Sequence, residues 1–456
     1  MSPISKIRDP RSEVSNLKSE ISNQRSAISN QAQSSVLSPR AIRIALLTGG
    51  GDKPYALGLA ATLSAQDIQL DFIGSDDVGP SLNNDPQVRF LNLRGDQRPE
   101  ASRMAKVLRV LNYYARLIRY AATAKPKVFH LLWNNKFEFF DRTLLMLYYK
   151  CLGKKIVLTA HNVNIRRRDS KDTLINRCSL KVQYRLSDHI FVHTEKMKSE
   201  LVSNFRIPEE KVSVIPFGIN NTVPNTALST VEAKRQLGVD VSHKTLLFFG
   251  NIAPYKGLEY LVTAFAELLK EDANYRLIIV GKPKGSEDYW KQIHQAIAGS
   301  GIGDRVIEKI EYVPDETTEV YFKAADVLIL PYTYVFQSGV LFLGYSFGLP
   351  AIAADVGPLK EEIIEGKTGF VFRSQDSSDL ARTIAKYFES ELFRNLESRR
   401  SASGPASGSE EPTARREGPT TRREIRDYAN ERYSWDKVAA ITREVYSDLL
   451  RSTEDR

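Results

Sequence analysis

The chain has 456 residues, 42% hydrophobic and 26% charged, with a formal net charge of +9. That length exceeds one hydrophobic core, and the composition is that of a water-soluble globular protein with two ordinary domains plus tails. The charge does not argue for a nucleic-acid protein, because residues 1–41 hold six Lys/Arg against three Asp/Glu and residues 399–424 hold six against four. More than half of the excess thus lies in segments that read as unfolded.

No apolar run approaches the ~20 residues of a membrane span, and LLMLYY is cut by Lys150. The N-terminus has no apolar h-region, so no signal peptide is expected. Cys151 and Cys178 make no disulfide framework and fit a reducing cytoplasm.

In residues 1–41, Val14-Ser-Asn, Ile21-Ser-Asn and Ile28-Ser-Asn recur every seven residues. The companion positions Leu17, Gln24 and Gln31 include one apolar residue, so a disordered leader is expected rather than a coiled coil. Order begins at Ile42. RIALLT reads as a buried strand ending in Gly49-Gly50-Gly51-Asp52, with a helix from about Tyr55 to Ser64. Further strands are expected at 70–74, 88–93, 128–133, 155–160, 189–194 and 212–218, with helical patterns between most of them. This alternation is the signature of a doubly wound parallel sheet. The triple glycine is either a ligand loop at a strand's end or a plain tight turn.

From about Glu100 to Ala122, Met104, Val107, Leu108, Leu111, Tyr114, Ala115 and Ile118 share one face of a helix. Lys106, Arg109 and Arg116 lie opposite, with Arg119 at the flank. The plain expectation is that the apolar face packs on the sheet. The alternative is a face on anionic lipid, since Val110, Tyr113 and Leu117 accompany the basic residues.

Residues 221–244 read as a linker between a domain at 42–220 and a second at 245–398, where the βα alternation restarts. Strands are expected at 245–250 and 276–281, and helices over GLEYLVTAFAELLKE, about 287–298, and DETTEVYFKAA, whose acidic first turn suits a helix N-terminus. The stretch Ala325–Phe372 reads as a buried strand, a loop through Gln337, Ser338 and Gly339, a helix capped by Ser338 and stopped at Gly348, and a second buried strand. Such a βαβ unit places backbone N–H groups and a helix dipole at a strand's carboxyl end, where an anion binds. Residues 399–424 read as a low-complexity loop, and 425–456 as a helical return.

Several residues stand at strand ends facing one cleft. Lys256 in GNIAPYKG can meet a diphosphate as a point charge; the plainer reading is a solvated loop lysine. Lys282 in VGKPKG is a similar candidate or a turn residue. His161 in LTAHNVN could meet a ligand, while His193 reads better as a core-edge histidine. Arg166, Arg167 and Arg168 form a solvated charge run or a clamp for an anionic acceptor. Spacing for a structural metal, a nucleophile elbow or a Walker loop is absent.

The pieces TAHNV, VSVIPFGIN, LLFFGNIAPYKGLEYLVTAFAEL, LIIVGK, YVPDETTEVYFKAADVLILPY and FGLPAIAADVGPLKEEIIEGKTGFVF together resemble the family 4 glycosyltransferases. The resemblance implies an α/β GT-B fold: two Rossmann-like domains, an N-terminal one for the acceptor and a C-terminal one for a nucleoside diphosphate sugar. It also implies a last helix crossing back to the first domain. By resemblance, Lys256 is the donor-diphosphate lysine, with Gly250, Asn251 and Lys282 beside it, and His161 contacts the donor sugar. Ser338, Gly339 and Val340 would offer backbone donors, with Gln337 next to them, and Gly49, Gly50, Gly51, Asp52, Arg166 and Arg167 would lie on the acceptor side.

The implied activity is retaining transfer to a glycan or lipid-linked acceptor in cell-surface synthesis, in the cytoplasm or peripherally on the inner face of the plasma membrane. No cofactor or metal is expected. Two departures stand out. Asn251 occupies the place of the family's arginine, and Val335 and Leu343 occupy the places of its two glutamates. A non-catalytic partner protein with this fold is the alternative.

Overall fold

The computed structural model describes residues 42–76, 78, 82, 85–97, 102–164, 166, 172–219, 223–401 and 422–454. The expected leader, Arg167 and Arg168 lie outside the described residues, as do 402–421 of the low-complexity segment.

Two parallel sheets carry the chain. The first runs β3-β2-β1-β4-β5-β6-β7, where β1 is Arg43–Leu47, β2 Gln69–Gly74, β3 Val88–Asn92, β4 Val128–Leu131, β5 Lys155–Thr159, β6 His189–Val192 and β7 Val212–Val214. The second runs β10-β9-β8-β11-β12-β13, where β8 is Lys244–Phe249, β9 Tyr275–Val280, β10 Val306–Lys309, β11 Val327–Leu330, β12 Ala351–Ala354 and β13 Gly369–Phe372. Strands such as VLIL and AIAA are buried along their whole length because helices cover both faces. Strand order reverses direction between β1 and β4 in one sheet and between β8 and β11 in the other. Ligand crevices form at such switch points, outside the strands' carboxyl ends.

The Leu258–Glu271 helix buries Leu258, Leu261, Ala264, Phe265 and Leu268, the face its periodicity predicts. The Arg103–Thr123 helix does not follow its pattern. Its buried residues are Tyr113, Tyr114, Leu117 and Ala121, whereas Met104, Val107, Leu108, Leu111 and Ile118 are exposed. The helix is turned by about a third of a revolution from the expected face. The tyrosines account for this, since their rings bury large areas while their hydroxyls reach Asn135 and Asp141 at 2.5 and 2.9 Å.

Both described ends of the 399–424 segment are helical. The Glu391–Ser401 helix runs into its start, and a further helix begins at Arg422 rather than after it. The Trp435–Glu454 helix then packs on the first sheet, where Val438, Ala439 and Tyr446 join the cluster around Ile44, Leu46 and Leu59. Trp435 Nε1 donates to the Ile219 carbonyl at 3.0 Å. Gly218, at φ +81°, lies so close to the Trp435 ring that a Cβ there would stand 2.6 Å from it. The two sheets also meet directly. Phe336, from the loop after β11, packs into the core of the first sheet, and Phe217 stacks on Phe342 at 5.8 Å.

Candidate functional site

At the second sheet's switch point, the loop after β8 and the loop after β11 touch. Gly257, at φ +65°, permits this contact, because a Cβ there would overlap the Pro331 carbonyl. The contact carries Lys256, on the short Pro254–Lys256 turn, to the hydroxyl of Tyr332, to which its Nζ donates. The ammonium also lies 4.0 Å from the centroid of the Tyr332 ring, and Lys256 is buried. The Tyr332 hydroxyl in turn meets the Ser338 side chain. Ser338 caps the Gly339–Ser346 helix, accepting from the Leu341 N–H at 3.4 Å. A cation and the N-terminus of a helix are thereby placed side by side. Such an arrangement can attract an anion.

Gln337 stands next to it with Oε1 buried and without a hydrogen-bond partner. Gly250 abuts Val340, since a Cβ on it would lie 3.2 Å from that side chain. Asn251 and Lys282 are exposed at the rim; the Lys282 carbonyl accepts from the Ile252 N–H at 3.1 Å. Val335 and Leu343 are both buried in the core of the second domain. Apolar packing thus occupies the positions where the resemblance expects carboxylates.

At the first sheet's carboxyl edge, His161 follows β5 and is enclosed by aromatic rings. Trp133 stacks on it at 4.2 Å with an interplanar angle of 4°, and Tyr55 meets it edge-on at 4.6 Å. Its Nδ1 lies 2.9 Å from Nε2 of His193, whose Nδ1 lies 3.3 Å from the Ile215 carbonyl. A carbonyl only accepts, so His193 carries its proton on Nδ1 and presents a lone pair at Nε2. His161 must then donate from Nδ1, which leaves its Nε2 as an acceptor. That Nε2 is buried and has no partner. Burial, the neighbouring His193 and then His130 hold His161 well below the usual histidine range, and burial brings His193 down to about 4. Both rings are neutral at physiological pH.

The remaining acceptor-side candidates divide. Gly49 and Gly51 lie against Trp133, and Gly50 against Arg94, so tight packing accounts for all three glycines. Gly50 and Gly51 nevertheless line a cavity of about 230 Å³ with Lys53 and Arg94. Asp52 accepts from the Tyr55 N–H at 3.1 Å as the N-cap of the Lys53–Ser64 helix, which accounts for its carboxylate without a ligand. Arg166 pairs with Glu138 at 3.2 Å, and Glu138 also holds Arg142 at 3.0 Å, so this arginine is engaged with protein.

Phe217 connects the two halves. Its ring lies 6.1 Å from that of His161, and a Cβ on Gly339 would stand 3.7 Å from it. The acceptor nitrogen of His161 and the helix capped by Ser338, with Lys256 beside it, therefore flank one aromatic ring. Sequence reading missed Tyr332, Trp133, Tyr55 and Phe217. The only signal available was that Tyr332 and Trp133 end apolar strand runs, where side chains reach the cleft.

Two family models match in tandem, one described as Glycosyltransferase Family 4 over residues 49–222 and one as Glycosyl transferases group 1 over residues 243–390. Similar proteins include the D-inositol 3-phosphate glycosyltransferase of Corynebacterium efficiens, 29% identical over 46% of this chain and 50% of that one. The protein of that name from Streptomyces bingchenggensis is 28% identical over 58% and 54%. The chain spans about half the length of the curated relatives it matches. Among solved structures, sucrose-phosphate synthase from Thermosynechococcus elongatus gives a TM-score of 0.68 at 17% identity, covering 91% of this chain and 100% of that one. HepE of Anabaena, solved in complex with UDP-glucose, gives 0.65 at 16% identity, covering 89% and 100%. At such identities the likeness shows the fold, which is GT-B.

Proposed function

The chain belongs to the family 4 glycosyltransferases, and on that premise we propose that it transfers a sugar from a nucleoside diphosphate sugar to a glycan or lipid-linked acceptor. The observation that carries this reading is the pairing of Lys256 with the capped helix at Gly339, across Phe217 from the free acceptor nitrogen of His161. The departing diphosphate gains negative charge as the glycosidic bond breaks. Lys256 and the helix N-terminus meet that charge in a buried setting, where electrostatic stabilisation is strongest. His161 Nε2 accepts from a donor-sugar hydroxyl and fixes the sugar's orientation. Gln337 Oε1 offers a second acceptor near the missing glutamate. The reading needs no metal, includes retention of anomeric configuration, and places the acceptor in cell-surface synthesis at the inner face of the plasma membrane.

UDP-glucose, the ligand named for HepE, is the first donor to test. Lys256→Ala is expected to weaken UDP binding about tenfold or more and to lower donor turnover with it. Unchanged UDP affinity and turnover in that variant would sink the assignment. The buried apolar Val335 and Leu343 favour a second reading, a non-catalytic binding protein. Absence of both transfer and slow donor hydrolysis across a panel of nucleotide sugars would decide for it.

A further inference from the structure

Four cations line a cavity of about 280 Å³ on the inner side of the Arg103–Thr123 helix: Arg94, Lys106, Arg109 and Lys136. The amides of Gln97 and Asn135 also face it, and its described lining residues include no Asp or Glu. Arg94 and Gln97 line the neighbouring cavity as well, so one groove runs from here to Gly50, Gly51 and Lys53 at the carboxyl end of β1.

The cationic wall is held from beneath. Asp141, buried in the π-helical turn Asp141–Leu145, accepts from the Tyr114 hydroxyl at 2.9 Å, the Asn135 N–H at 2.8 Å and Asn135 Nδ2 at 3.2 Å. Asn135 is thereby oriented with Oδ1 toward the Tyr113 hydroxyl, at 2.5 Å, and Arg94 Nη1, at 3.4 Å. The Arg94 guanidinium lies 5.2 Å from the centroid of the Tyr113 ring. Its Nε is buried and has no hydrogen-bond partner. Arg109 donates to the Asp96 carbonyl, which fixes a second guanidinium. A buried donor without an acceptor is costly and calls for an explanation.

We propose that this cavity binds a phosphate group carried by the acceptor, an inference that rests on the glycosyltransferase reading and names its acceptor class. A phosphate monoester brings close to two negative charges and three strong acceptor oxygens, which several cations and amides can share. One carboxylate, with two oxygens and a single charge, reaches fewer of these groups. With its phosphate here, an acceptor extends along the groove past Lys53 and Gly50 toward the cleft. The same charge is supplied by a soluble phosphorylated acceptor or by a lipid whose headgroup bears a phosphate monoester.

The test uses the full chain with UDP bound. Inositol 3-phosphate and inositol differ only in the phosphate, and each is titrated into wild type and into Lys106→Ala/Lys136→Ala. The phosphorylated probe is expected to bind about tenfold or more tightly than inositol, and the double variant to lose that difference while keeping its UDP affinity. Vesicles of phosphatidylinositol 4-phosphate and of phosphatidylinositol, which differ only in the phosphate monoester, form the second arm. Arg116→Ala, outside the cavity, serves as the control for general attraction to an anionic surface. Phosphate preference in the soluble arm identifies a soluble acceptor. Preference in the vesicle arm alone, abolished by the double variant and retained by Arg116→Ala, identifies a lipid one. The proposal is overturned if neither arm prefers phosphate, or if the double variant keeps the preference. Loss of UDP binding by wild type would instead overturn the glycosyltransferase reading, with the phosphate comparison still readable.

Discussion

His161 is a neutral hydrogen-bond acceptor because of the residue behind it. His193 can give a lone pair to His161 only while its own proton faces the Ile215 carbonyl, so the role of His161 is set two bonds away. His161→Phe is expected to keep UDP affinity and lower sugar transfer about tenfold or more, since a sugar hydroxyl would lose its acceptor. Equal transfer by the variant would show that Nε2 contacts nothing that matters. Burial holds both histidines below the ordinary range, His193 at about 4. UDP-glucose affinity should therefore not change through histidine titration between pH 5.5 and 8. A transition near pH 6.5 would contradict the buried relay. Lys256 was legible as a candidate from its place after a strand. Its partner Tyr332 was not, because only the contact between two loops brings them together.

At the scale of the element, the Arg103–Thr123 helix carries the largest departure from its pattern. All the exposed large hydrophobics among the described residues, except Val241 and Tyr312, lie between Met104 and Ile175. Met104, Leu108 and Leu111 on this helix are 69%, 59% and 53% exposed, and Leu144 and Leu147 on the next helical segment add to the surface. The Arg103–Thr123 helix has five basic residues and no acidic one. An apolar ridge with Arg119 at its flank suits an anionic lipid surface. No helix among the described residues is long and apolar enough to cross a membrane, so such contact would be peripheral. Leu108→Glu/Leu111→Glu should reduce sedimentation with phosphatidylglycerol vesicles several-fold and leave the melting temperature nearly unchanged, because both side chains are already exposed. Equal sedimentation of variant and wild type would refute membrane contact through this ridge.

Over the whole molecule, stability couples to pH through buried histidines of the first domain. Burial lowers His130 to about 3, His189 to about 4 and His193 to about 4. His130 is held between Tyr446 of the last helix, at 2.6 Å, and Thr159 of β5, at 2.7 Å. Between pH 6.5 and about 4 the unfolded chain protonates these rings and the folded chain does not. Stability therefore falls as pH drops, by up to about 1.4 kcal/mol per pH unit for each histidine. Burial raises Asp141 to about 6 and Glu362 to about 7, which acts in the opposite sense across an overlapping range. Burial raises Asp52 and Asp315 as well; the buried histidines, with His161 among them, outweigh these four carboxyls. The melting temperature should fall on acidification from pH 6.5 to 4, and a level or rising value would show that the carboxyls dominate.

The alternation of apolar strands with amphipathic helices, the glycine and proline stops, and the order of the motif blocks were all determined by the sequence, because each depends on neighbours within a few residues. They sufficed for two doubly wound sheets and for the candidates Lys256, Ser338, Gly339 and His161. Other features were decided only by tertiary structure: the rotation of the Arg103–Thr123 helix, the pairing of Lys256 with Tyr332, and the histidine relay to Ile215. The Asp141–Asn135–Arg94 support of the cationic cavity belongs with them. Each of these joins groups distant in the chain, and its outcome turns on which buried hydroxyl, amide or ring finds a partner. Periodicity records how much apolar surface a segment carries; the partners across the fold decide which face of it is buried.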